Sequence, residues 1–155
     1  MNIIIAFVAA LALPSIASAH VVVEPKSAPA GAYQKLTFRV GHGCDHSPTT
    51  EIVVSIPKGV TSVKPQVHTG WTITTKKTGE DVTEVSFKGG PLDDAFMDEF
   101  GMSVKLPELA GETLVFSVVQ NCQKGKSEWT GAPEATFPAP RILLEKTTSH
   151  EHHSH

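Results

Sequence analysis

The chain has 155 residues and a formal net charge of −3, from 13 basic and 16 acidic side chains, a size that suits one ordinary domain. With 19% charged and 40% hydrophobic residues, disorder over most of the length is excluded. The slight acidic balance offers no electrostatic attraction to nucleic acid or to an anionic membrane.

In chain order, the first feature is an apolar run from Ile3 to Leu13. Pro14 interrupts it, and Ala17-Ser18-Ala19 then supplies the small-x-small pattern that a signal peptidase accepts. A spanning helix needs roughly 20 apolar residues without a break, so residues 1–19 read as a secretory signal peptide. Cleavage after Ala19 makes His20 the first residue of an exported chain. A terminal histidine carries an α-amine with a pKa near ~8 beside its imidazole, so one residue closes a chelate ring on a metal. Such nitrogen donors suit copper(II), which stands at the top of the divalent affinity order.

Beyond the leader, period-two alternation dominates. Residues 21–23 read as an outer strand. Leu36, Phe38 and Val40 then alternate with Lys35, Thr37 and Arg39, giving one apolar and one solvated face. The pattern recurs at Ile52-Val54-Ile56, Trp71-Ile73, Val85-Phe87, Met102-Val104-Leu106 and Leu114-Phe116-Val118, and residues 142–144 add a further outer strand. Pro57-Lys58-Gly59, Thr78-Gly79-Glu80-Asp81, Gly89-Gly90-Pro91 and Ala110-Gly111-Glu112 punctuate them as turns. Phe96-Met97-Asp98-Glu99-Phe100 is open to a short helical turn before a strand. Nothing after residue 19 keeps apolar residues at helical spacing for more than about one turn. The expected fold is all-β: an immunoglobulin-like β-sandwich of roughly seven to eight strands over residues 20–145.

In an oxidising compartment, Cys44 and Cys122 are most simply a disulfide. It would close a long loop and contribute about 4 kcal/mol in the chain-entropy model. A copper(I) thiolate pair is the alternative, without a CxxC motif or clustered methionines to accompany it. Gly41-His42-Gly43-Cys44-Asp45-His46 is the stretch of the domain densest in donors. Its glycines permit close approach to another chain, which makes His42 the candidate second imidazole beside His20. The plain alternative is a surface turn with His42 and His46 in water, and Asp45 is an ordinary turn residue. Glu24 is a more remote candidate ligand, about 13 Å from His20 at strand rise, and Glu99 offers another carboxylate. Trp129 is either a shield beside a metal or sandwich core, the role that suits Trp71. From residue 146 the chain is polar and expected to be disordered. Its His150, His152, His153 and His155, four of the eight histidines, form an auxiliary metal-collecting tract. No Gly-x-Ser-x-Gly elbow, His-Glu-x-x-His or phosphate-binding loop is present, so binding rather than catalysis is expected.

Several short motifs in a fixed order carry a resemblance. His20-Val21-Val22-Val23-Glu24-Pro25, Ala30-Gly31-Ala32-Tyr33, Phe38-Arg39-Val40-Gly41-His42-Gly43-Cys44, Gly70-Trp71, Asp98-Glu99-Phe100 and Glu128-Trp129-Thr130-Gly131 together resemble the YcnI-type copper-binding domain, in its Gram-negative branch. The resemblance covers residues 20–145. It implies an exported immunoglobulin-like sandwich that binds copper(II) through its N-terminal histidine, with an acidic ligand and a tryptophan close by. Residue by residue, it assigns His20 to the metal and Trp129 to the tryptophan. Gln34 stands where the better-known branch of the family carries a glutamate, and His42 is the preferred replacement donor.

The reading that follows is a periplasmic copper(II)-binding protein, not an enzyme, that buffers copper or hands it on. Its partners would be the copper ion and another periplasmic copper chaperone or a copper-enzyme assembly factor, with no nucleic acid and no membrane beyond the cleaved signal. The rivals are a copper-dependent oxidative enzyme of the histidine-brace type and an immunoglobulin-like interaction module without metal.

Overall fold

Alternating apolar residues build strands throughout, and their inward positions meet in one core. The computed structural model describes residues 20–147. The expected leader at 1–19 and the tail histidines His150, His152, His153 and His155 lie outside the described residues. The strands are β1 (Val22–Glu24), β2 (Ser27–Pro29), β3 (Tyr33–Val40), β4 (Thr49–Ser55), β5 (Thr61–Pro65) and β6 (Trp71–Thr78). They continue with β7 (Asp81–Leu92), β8 (Asp98–Lys105), β9 (Thr113–Val115), β10 (Val118–Cys122), β11 (Lys126–Trp129) and β12 (Arg141–Glu145). One sheet has the order β1-β3-β8-β5 and a second β11-β10-β4-β7-β6, while β2-β12-β9 form a third, small sheet. Pairing is antiparallel except between β12 and β2.

The all-β expectation holds, with twelve strands among the described residues because short pieces add to the long alternating ones. The run Leu114-Phe116-Val118 is divided in two. Phe116 N–H donates to Pro140 O, whereas Ser117 O accepts from Ser55 N–H, so the chain passes from the small sheet to the five-stranded one at this point. Residues 96–100 hold no helical turn. Phe96 N–H closes a turn on Asp93 O at 3.1 Å, and β8 begins at Asp98.

Leu36, Phe38 and Val40 from β3 meet Ile52, Val54, Val85, Phe87, Phe100, Met102 and Val118 in the core. Phe38 and Phe116 pack edge to face at 5.4 Å. Each fully buried apolar side chain of this size is worth about 1.5–3 kcal/mol relative to exposure. The expected disulfide is present: Cys44 and Cys122 are bonded, 78 residues apart in sequence, with Cα atoms 6.0 Å apart. It ties the segment after β3 to the end of β10, and so one sheet to the other.

Candidate metal centre

Register brings the two leading histidines to one end of the sandwich. Val22 on β1 lies opposite Arg39 on antiparallel β3, so the residues just before β1 and just after β3 emerge at the same end. His20 precedes the first and His42 follows the second. Both rings pack against the Trp129 indole, with centroids at 5.8 Å for His20 and 6.0 Å for His42.

Trp129 ends β11 and is only 1% exposed. It is core material, and the rings of His20 and His42 rest against it. Its Nε1–H donates to Gln120 Oε1 at 3.0 Å. The Gln120 amide nitrogen in turn donates to His42 O and to Thr49 Oγ1, each at 2.7 Å. Gln120 was not among the candidates read from the sequence, yet a signal for it exists. Positions 114, 116 and 118 point inward, and by strand alternation 120 is the next inward place, where a glutamine breaks the apolar series.

The segment around His42 is held tightly. His42 Nδ1 contacts Gly43 O; a carbonyl accepts only, so Nδ1 carries the proton and the neutral ring's lone pair is on Nε2, the atom available to a metal. Gly43 is required by close approach, because a Cβ there would stand 1.9 Å from Ser47 O. Cys44 and Ser47 bond reciprocally, N–H to O at 3.0 and 2.9 Å. Between them Asp45 and His46 take left-handed backbone conformations, φ 48° and 64°, which Asp and His tolerate better than most residues. Asp94 anchors the turn: its carboxylate accepts from Gly43 N–H and meets His46 Nδ1, both at 2.8 Å. That bond and the carboxylate charge raise the His46 pKa above its ordinary 6.5. The same bond, then the Gly43 N–H, lower that of Asp94 below 3.8.

Of the other candidates, Glu99 shares this end of the sheet two strands from β1, and Glu24 and Gln34 do not. Glu24, opposite Thr37 at the far end of β1, sits 3.6 Å from Lys26 Nζ. Glu99 is opposite Arg39 on β8, with β3 between it and β1. Gln34 is near the start of β3, opposite Val104, about 20 Å from the Val40 end at strand rise. Among the described residues no group of three or more His, Cys, Asp or Glu converges to hold a metal. What this end offers is two imidazoles against one indole, an arrangement suited to an open site completed by a nitrogen outside that residue set.

A further histidine shares this end of the four-stranded sheet. His68, past the end of β5, has Nε2 2.8 Å from Asp98 Oδ2 and packs on Trp71 at 6.1 Å and Phe100 at 4.9 Å. The sequence marked Trp71 and the 98–100 stretch but not this pairing, which joins residues 30 apart.

Comparison with known proteins adds three findings. Residues 20–144 match the family described as a domain of unknown function, DUF1775. The copper-binding protein CutI of Bacillus subtilis (strain 168) is 29% identical over 141 residues, covering 88% of this chain and 68% of that protein. The crystal structure of an uncharacterized protein from Nocardia farcinica, described as revealing an immunoglobulin-like fold, superposes with a TM-score of 0.74 at 26% identity, over 82% of this chain and 99% of that one.

Proposed function

Since this chain belongs to the DUF1775 family, and CutI is similar to it over 88% of its length, we propose that it is a copper(II)-binding protein of the periplasm that buffers the ion or passes it to another copper carrier or an enzyme-assembly factor. Copper is cargo here. The observation that carries the proposal is the pair of imidazoles, His20 and His42, resting on the one buried indole of Trp129. Signal cleavage after Ala19 gives His20 a free amine, so that this residue supplies two nitrogens. His42 Nε2, whose ring is oriented by the Nδ1 contact to Gly43 O, is the further imidazole on the same indole. Three nitrogen donors with an open position suit copper(II), and an open position also suits release to a partner. Trp129 bars water from the core side of the site.

The test compares copper(II) spin-resonance spectra of protein beginning at His20 with protein beginning Met-His20, each with and without the tail histidines. Only the first carries the amine on the chelating residue. A stoichiometric nitrogen-rich signal confined to the His20-first form is expected, and equal signals from both forms overturn the proposal. The signal should fade as pH falls below about 6, because amine and imidazole must be deprotonated to bind. Full retention at pH 4 would instead indicate a carboxylate-dominated site. On this reading the protein is a carrier, not an enzyme; a sustained peroxide burst with ascorbate and copper, followed by oxidised sugar products, would favour the oxidative alternative.

A further inference from the structure

We infer that Gln120 is a positioning residue for the metal-binding end: its side-chain amide sets the Trp129 indole and the His42 segment in fixed relation to each other, and so fixes the wall on which His20 rests. The inference rests on the copper reading above and deepens it.

Gln120 is fully buried on β10, at an inward position otherwise apolar along the run from Leu114 to Val118. Every hydrogen-bonding group of the amide is used in a directed way. Oε1 accepts from the Trp129 indole N–H at 3.0 Å. The two amide hydrogens go to His42 O and Thr49 Oγ1, both at 2.7 Å. A buried polar side chain is retained only where its partners are met, and here two of the three partners belong to residues packed against His20 or beside it. The indole N–H needs an acceptor and the His42 carbonyl needs a donor. An amide is the side-chain group of this length that supplies both at once; a carboxylate supplies acceptors alone. The neighbouring disulfide fastens the same place, with Cys44 Sγ 3.4 Å from Gln120 O. The indole, the His42 backbone and the sheet-to-sheet bridge thus converge on one residue.

The experiment uses the full exported chain beginning at His20, with Gln120→Met, which keeps length and bulk without hydrogen bonds, and Gln120→Glu, which keeps the acceptor and removes the donors. In the metal-free protein, both variants should change the ring-nitrogen NMR shifts of His42. Gln120→Met should also speed exchange of the Trp129 indole proton, while Gln120→Glu should leave that proton protected. With one equivalent of copper(II), both should bind about tenfold or more weakly, as loss of groups that orient metal ligands typically does, and shift the copper spin-resonance hyperfine splitting. A packing role alone predicts wild-type spectra for Gln120→Met. If one Gln120 variant fails to fold, the other carries the test, since each removes the bond to His42 O. Wild-type His42 shifts and a wild-type copper spectrum in the folded variants overturn the inference. Failure of the unaltered protein to bind copper overturns the copper reading instead, and the metal-free measurements still judge Gln120.

Discussion

Two histidine–tryptophan contacts at the same end of the molecule have nearly the same ring geometry and different neighbours. His42 meets Trp129 at 6.0 Å and 63°, and His68 meets Trp71 at 6.1 Å and 61°. His68 directs Nε2 to the Asp98 carboxylate and adds a Phe100 face. His42 spends Nδ1 on a backbone carbonyl, which leaves the lone pair on Nε2, and its indole is shared with His20. What separates the two is which nitrogen is engaged, and whether a second imidazole reaches the same indole.

The largest effect expected is on the fastening of the His42 side. The Cys44–Cys122 bridge spans 78 residues and attaches two positions after His42, whereas His68 has no such tie. Replacing both cysteines by serine should lower stability by about 4 kcal/mol, read by urea unfolding. In the folded variant, NMR lines of His42 should broaden while those of His68 stay sharp. Equal broadening at both rings would break the contrast.

Next comes the proposed donor, His42. His42→Ala should weaken copper(II) binding about 10–100-fold, measured by competition with a chelator of known affinity, and His68→Ala should leave it unchanged. A loss in the His68 variant equal to that in the His42 variant would show that both rings serve the ion and would remove the distinction drawn here.

The smallest effect concerns the turn that carries His46. The His46 pKa is raised, first by its bond to Asp94 and then by that carboxylate's charge, and the Asp94 pKa is lowered by the same bond. The His46 contribution is therefore fully present below pH 6.5 and fades as pH rises through the elevated folded value. The Asp94 contribution is present above pH 3.8 and fades as pH falls through the depressed one. The pair is strongest between those limits. His46 is exposed and Asp94 half-buried, and a pair so open to water contributes little, so Asp94→Asn should scarcely alter stability, but NMR titration should show the His46 pKa returning toward 6.5. An unmoved value would mean that Asp94 does not hold this turn.

Much of this was legible in the residues. Leu36, Phe38 and Val40 announced β3 because inward positions on a strand must be apolar at every second place. The distant cysteine pair announced the bridge, and ordered short motifs announced the family. His20, His42 and Trp129 could be singled out from residue type and place. Gln120 escaped because a glutamine near a strand end looks solvated until its partners, His42, Thr49 and Trp129, are seen around it. Asp94 escaped for the same reason, since its hold on Gly43 spans 51 residues.

Alternation, turn chemistry and cysteine count are properties of neighbours along the chain, and they were enough to determine an all-β domain with one bridge. Which histidine shares an indole, and which has its nitrogen taken by a carboxylate, depends on contacts between strands distant in sequence. Only the pairing of β1 with β3 and of β10 with β11 decided that, because hydrogen-bond register across a sheet sets which side chains meet at its end.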